Sequence, residues 1–326
     1  MQTRVLGRTQ LPVSVIGLGC WQLGADWGEV NEQQAHEVLE AASEAGVTFF
    51  DTADVYGDGR SERLVGEFLQ GHSGITVATK MGRRAVPHVA QAYALARFRE
   101  WTDRSRANLG VDVLDLVQLH CPPTSAYHDD EVFDALDTLV AEGRTRAYGV
   151  SVETCDEALR AIARPGVASV QIILNVLRRK PLEQVLPAAV KAGVGVIVRV
   201  PLASGLLCGQ YDESTTFAPD DHRTYNRNGE AFDRGETFAG VPYEVGVAAA
   251  RDVAALTPHG ATTAQLALRW LLDQPGVTTV IPGARNADQA RANASAAGLS
   301  PLDAPTLESL AGIYDARVRE HVHHLW

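Results

Sequence analysis

The chain reads as an α/β protein, specifically a closed (β/α)8 TIM barrel, and two patterns carry that reading. Eight short β-rich apolar runs alternate with amphipathic helical segments along the 326 residues. Several of the runs are unbroken Val, Ile and Leu, as expected of parallel strands buried on both faces.

In chain order the strands are Val15–Gly19, Thr48–Asp51, Ile75–Lys80, Leu114–His120, Ala147–Ser151, Ser169–Asn175, Gly195–Val200 and Thr278–Pro282. The segments between and after them are Glu32–Ala45, Ser61–Gln70, His88–Asn108, Asp130–Glu142, Thr154–Ala163, Pro181–Lys191, Val245–Ala255 and Ala287–Ala297. Asn31 is placed to cap the first helix and Gly46 to end it. Ser61 stands before Glu62 at the next helix start, and Pro181 opens a later one, where its missing N–H is harmless. The first eleven residues, turning at Gly7-Arg8-Thr9, form an N-terminal β-hairpin expected to plug the N-terminal mouth of the barrel. Extra helices are expected at Thr262–Asp273 and, near the C-terminus, at Pro305–Glu320. Pro201 to Val277 is too long for one loop and helix, and the polar stretch Tyr211–Gly240 reads as a long loop after strand seven. No linker interrupts the pattern, so residues 1–326 are expected to form a single barrel domain.

Composition narrows the function. With 29 basic and 40 acidic residues and a net charge of −11, no basic face is available for nucleic acid. The clusters Arg83-Arg84 and Leu177-Arg178-Arg179-Lys180 are short, of the kind that cap helices or face solvent. No apolar run reaches the roughly 18 residues of a membrane helix, and Met1–Leu11 lacks the pattern of a signal peptide. Cys20, Cys121, Cys155 and Cys208 form no recognisable framework, which fits a reduced cytoplasmic compartment. Subunit number is left open by these features.

Ionisable residues fall at consecutive strand ends. Strand two runs into Asp51, with Tyr56 in the following loop; strand three ends in Lys80, and strand four in His120. In a barrel these ends meet at the catalytic face. Singly, each has an ordinary explanation: a turn Asp, a snorkelling Lys, a satisfied core His. Together they are chemically coherent. An ammonium beside a phenol favours the phenolate and lowers its pKa. Lys80 supplies that charge, Asp51 holds Lys80, and His120 orients a substrate oxygen. Such a set protonates an oxygen whose charge develops as carbon receives a hydride. Asp51 and His120 lack the further ligands of a metal site.

Gly17-Leu18-Gly19, Phe50-Asp51-Thr52-Ala53-Asp54-Val55-Tyr56-Gly57, Ala78-Thr79-Lys80 and Gln118-Leu119-His120 resemble the signature segments of the aldo-keto reductase superfamily. The resemblance implies NAD(P)H-dependent reduction of a small-molecule aldehyde or ketone. It makes Tyr56 the general acid, has His120 orient the carbonyl, and gives Lys80 and Asp51 the tuning of Tyr56. By the same resemblance Ser151 and Gln171 hold the nicotinamide carboxamide, although Val152 replaces the usual Asn. Asn175 closes strand six beside them. The loop Pro201-Leu202-Ala203-Ser204-Gly205-Leu206 resembles the one that cradles the pyrophosphate. Arg199 replaces a stacking Tyr, leaving it either a phosphate or anion contact or a partner of a nearby carboxylate. Ile281-Pro282-Gly283-Ala284-Arg285, continuing to Gln289 and Asn293, resembles the segment that grips the adenosine end, although Gly283 stands where a basic residue is common and Ala292 where a Glu is; Arg285 is either a 2′-phosphate contact or solvent-facing. The former favours NADPH over NADH.

Trp21 and Trp27 follow strand one as candidate walls of the substrate pocket, with Cys121 and Met81 as packing neighbours. Arg223, Arg227 and Arg234 of the long loop are either a clamp or a solvated face. The tail His321-Val322-His323-His324-Leu325-Trp326 is read as packing Trp326 near the mouth rather than as a metal site. Two other functions stand beside the reductase: a Schiff-base barrel enzyme using Lys80, and a cofactor-binding sensor with little turnover.

Overall fold

The computed structural model describes residues 1–24 and 30–326. Strands β1 (Thr3–Val5) and β2 (Pro12–Ser14) form an antiparallel hairpin. The barrel strands are β3 (Leu18–Gly19), β4 (Phe49–Asp51), β5 (Thr76–Met81), β6 (Leu116–His120), β7 (Tyr148–Ser151), β8 (Val167–Ile173), β9 (Gly195–Arg199) and β10 (Val277–Val280). All are parallel to their neighbours in chain order. The bridges Ile16 to Val280 and Gly19 to Gly283 bring the last strand back to the first. Helices α1 (Glu32–Glu44), α2 (Arg60–Leu69), α3 (Leu95–Leu109), α4 (Asp130–Ala141), α5 (Cys155–Ile162) and α6 (Val185–Ala192) follow β3 to β8 in turn. After β9 come α7 (His222–Tyr225), α8 (Tyr243–Ala254) and α9 (Thr263–Leu272); after β10 come α10 (Ala287–Ser295), α11 (Ala304–Ile313) and α12 (Arg319–Val322).

The hairpin seals one end, as its sequence implies. Leu6 is fully buried in a layer with Val13, Phe49, Ala78, Leu116, Ala147, Ala168, Ile197 and Ile281. Arg8 caps carbonyls of Arg164 (3.1 Å), Val167 (3.0 Å) and Ala192 (2.8 Å) across the same face. This apolar floor explains the site above it. Side chains alternate along a strand, so the residues two positions on from Phe49, Ala78, Leu116 and Ile197 also point inward. Those residues are Asp51, Lys80, Gln118 and Arg199.

Several boundaries differ from the sequence reading. Asn31 does cap α1, in a reciprocal pair with Gln34, and Gly46 leaves it with φ +85°. Ser61, however, is inside α2, which opens at Gly59; its hydroxyl is buried, donating to the Cys20 carbonyl (2.8 Å) and accepting from Thr52 Oγ1 (2.8 Å). The helix expected from His88 starts only at Leu95. Tyr93, buried against Phe98 and Trp101 and bonded to His88 Nε2 (2.8 Å), holds the preceding segment as a loop. Pro181 opens a short 3-10 turn, Lys180–Leu182. The backbone leaves the helical region at Gln184 (φ −131°) before α6 begins.

Candidate active site

At the open end, Asp51, Lys80, Gln118 and Gln171 form a buried polar layer. Lys80 Nζ makes an ion pair with Asp51 Oδ1 and donates to the Thr52 carbonyl (2.9 Å) and to Tyr56 Oη (3.3 Å). The other Asp51 oxygen accepts from Gln118 Nε2 (3.1 Å) and Gln171 Nε2 (2.8 Å). Both carboxylate oxygens are therefore satisfied, as a buried charge requires. Burial lowers the Lys80 pKa, but Asp51 and Tyr56 outweigh it, and the ammonium pKa lies above its ordinary value.

Tyr56 lies over this layer, with its ring stacked on Trp21 (6.0 Å between centroids, 20°) and edge-on to His120 (5.9 Å, 88°). Gly57 makes the turn: its φ is +55°, and a Cβ there would lie 2.3 Å from the Gly24 carbonyl oxygen. The tyrosine departs from the sequence expectation in one respect. Burial raises the phenol pKa, Lys80 opposes it, and the net direction is upward. Desolvation disfavours the phenolate more than one shared ammonium favours it. The hydroxyl thus stays protonated at neutral pH. His120 is driven the other way: burial, then Arg83, Lys80 and Arg199, keep its pKa well below the ordinary value. It is a neutral imidazole, and its buried Nδ1 has no partner among the described residues. The site thus combines a protonated phenol, a buried ammonium and a neutral imidazole.

The long loop is ordered over this mouth. Ser204, with φ +54°, donates to the Glu236 carbonyl (3.0 Å) and accepts from the Phe238 N–H (3.1 Å). Asn226 accepts from Ala231 and Phe232 N–H (2.8 and 2.9 Å). These anchors bring His222 and Phe232 to Trp21, at 5.4 and 5.9 Å between ring centroids. Trp326 seals the flank: its indole donates to Asp233 (3.2 Å) and Arg178 lies 3.9 Å over its ring. The tail thus packs at the mouth. Of the two candidate pocket walls, Trp21 sits on Tyr56 and Trp27 lies outside the described residues.

The residues matched to cofactor binding fall into groups. Ser151 is buried at the end of β7, where its hydroxyl accepts from Cys121 Sγ (3.7 Å). Gln171 turns its amide to Asp51, and Asn175 ties the end of β8 to the Val200 carbonyl (2.9 Å). Pro201, Leu202, Ser204, Gly205 and Leu206 lie in the turn after β9. There Ala203 (φ +48°), Ser204 (φ +54°) and Gly205 (φ +98°) are consecutive left-handed residues, and the Ala203 N–H donates to the Val200 carbonyl (3.1 Å). Gln289 accepts from the Arg285 N–H (2.8 Å), and Asn293 donates to the Gly283 carbonyl (3.1 Å), so both shape the 283–285 backbone. Arg285 stands at the N-terminus of α10, capped by Asn286, with its guanidinium 3.6 Å from Asp221 of the long loop. Arg199 takes the paired role: it is buried in an ion pair with Glu236 and donates to the Val152 carbonyl (2.9 Å).

Sequence spacing missed four contributors. Gln118 had a signal, since it alternates with His120 on one face of β6. Arg83 and Glu153 stand just past strand ends and meet at 3.7 Å. Glu236 comes from the long loop with no local signal; Arg199, Arg83 and Arg178 keep its carboxyl below the ordinary range despite burial. The short basic clusters are therefore not simply solvent-facing: Arg178 is buried, and Arg84 pairs with buried Asp54 at 3.2 Å. Among the described residues no three His, Cys, Asp or Glu gather to hold a metal, and no helix is long and apolar enough to cross a membrane.

The comparisons with known proteins agree with this arrangement. The Aldo/keto reductase family model matches residues 15–315. Aldo-keto reductase YhdN of Bacillus subtilis is 31% identical over 90% of this chain and 87% of its own. Among solved structures, the holo form of aldo-keto reductase AKR11C1 from Bacillus halodurans superposes with a TM-score of 0.78 at 28% identity, covering 99% of both chains. An aldo/keto reductase from Klebsiella pneumoniae in complex with NADP and acetate gives 0.70 at 26%, covering 96% of this chain and 95% of the other. With a family match spanning all eight barrel strands and a Tyr, Lys, Asp and His gathered at their C-terminal ends, the chain belongs to the aldo/keto reductase family.

Proposed function

We propose that the protein reduces an aldehyde or ketone to the alcohol with NADPH, using Tyr56 as the general acid. The observation that carries this reading is the Lys80 ammonium, fixed by Asp51, donating to the hydroxyl of a tyrosine that burial keeps protonated.

The chain's own groups fit the dinucleotide. The tight small-residue turn after β9 suits a pyrophosphate, and Arg285 with the positive end of α10 suits a 2′-phosphate. Ser151 and Gln171 border the place for a nicotinamide. When bound, that ring supplies the hydride. The substrate oxygen then sits between Tyr56 Oη and His120. The imidazole, neutral at working pH, takes part as a hydrogen-bond donor and leaves proton delivery to the phenol. As charge grows on the oxygen, Tyr56 releases its proton to it, and Lys80 stabilises the phenolate left behind. Trp21 and the long loop keep water from the reacting oxygen. The lone pair that a Schiff base needs on Lys80 is occupied by its proton, so the aldolase-like reading has no support here.

The test is NADPH oxidation by the purified protein with a panel of aldehydes and ketones, followed from neutral to alkaline pH. Because burial raises the Tyr56 pKa, turnover should stay level through the ordinary phenol value of about 10 and fall only above it. A decline that sets in near pH 7 would assign the acid to another group. In the same system Arg285→Ala should weaken NADPH binding about tenfold and leave NADH binding nearly untouched, as loss of a charge-assisted hydrogen bond does. Fluorescence titration of both nucleotides checks this, and equal weakening would remove the 2′-phosphate from Arg285.

A further inference from the structure

Three neighbouring strands frame one end of the site. Strand β6 ends in His120, and β5 and β7 flank it in the sheet. Arg83 lies two residues past β5 and Glu153 two past β7, yet their side chains meet at 3.7 Å. The pair therefore crosses over the end of the His120 strand, beside the place the carbonyl oxygen occupies in the reading above. Arg83 keeps 28% of its side chain exposed, and this ion pair with Glu153 is longer than a hydrogen bond. Glu153 is a weak counter-ion as well: burial, then Asp233, push its carboxyl up to about 7. Behind it the buried Glu236, whose charge also acts on Arg83, is ion-paired with Arg199, which in addition donates to the Val152 carbonyl.

We infer that Arg83 is the anchor for an anionic group on the substrate, so that the preferred carbonyls are short oxo-acids with a carboxylate a few atoms from the reacting carbon. The inference rests on the carbonyl-reductase reading and names the substrate class for it. A guanidinium with open N–H groups recognises a carboxylate in two parallel hydrogen bonds, and a fully charged substrate carboxylate competes well against a half-protonated, more distant Glu153. An anchor at this spot also fixes which end of the molecule faces Tyr56, because the carboxylate and the reacting carbonyl are tied to different strand ends.

The experiment compares short aldehyde acids with their primary amides, which match them in size and lack the charge. NADPH oxidation is followed with the wild type, Arg83→Met and Arg83→Lys. The wild type should favour each acid over its amide about 10- to 100-fold in kcat/KM, mainly through KM. Arg83→Met should abolish that ratio and Arg83→Lys should restore part of it. Equal use of acid and amide by the wild type would overturn the anchor while leaving carbonyl reduction standing. So would a loss in Arg83→Met that falls alike on both. No turnover of either compound while other aldehydes are reduced would overturn the oxo-acid class alone, and no turnover of any carbonyl would overturn both readings.

Discussion

Replacing Tyr56 by Phe is expected to lower aldehyde turnover by about 10²- to 10⁴-fold, the usual contribution of a positioned general acid. The ring would keep its place on Trp21, since the stacking involves no hydroxyl. Lys80 would lose one acceptor and retain Asp51 and the Thr52 carbonyl. Affinity for NADPH should therefore stay within a small factor of the wild type. Stopped-flow measurement of a single turnover, with nucleotide titration beside it, separates the two. Parallel loss of binding and turnover would make Tyr56 a structural residue and sink its assignment as the acid.

Lys80→Met should be damaging in two separable ways. It leaves the Asp51 carboxylate buried with only the Gln118 and Gln171 amides, and breaking one side of a buried pair costs about 3–5 kcal/mol of stability. It also removes the group that stabilises the departing phenolate, so turnover should fall by roughly 10² or more. The double variant Asp51→Asn with Lys80→Met removes the orphaned charge. It should recover much of the stability, read from urea midpoints, and none of the turnover. Recovery of both would mean that the pair acts only as scaffolding.

How far the sequence could be read depended on the distance over which each feature is decided. The eight strands and the residues at their ends are local: an apolar run stops, and the next inward position carries Asp51, Lys80 or His120. Period-two alternation above an apolar floor then brings them together, whatever the loops do. The partner of Arg199 is decided by how the segment from Tyr211 to Gly240 returns across the mouth, and nothing local marks Glu236 for that place. The late start of α3 likewise depends on where Tyr93 is buried, a tertiary fact. The direction of the Tyr56 shift was inverted for a related reason. Charge proximity can be guessed from strand order, but desolvation depends on everything packed around the ring.

The hairpin at the sealed end also has a consequence in time. Arg4 donates to the Leu272 carbonyl (2.9 Å), and Ile16 bridges to Val280, so the hairpin and the segment after it take their places against α9 and β10, far along the chain. Contacts of such long sequence separation are slow to form, because the intervening chain must be ordered first. The hairpin must therefore wait until α9 and β10 have been made for its final partners. Truncated chains that end before β10 would leave the closing strand pair unmade, exposing the hydrogen-bonding edges of β9 and of the β3 region together.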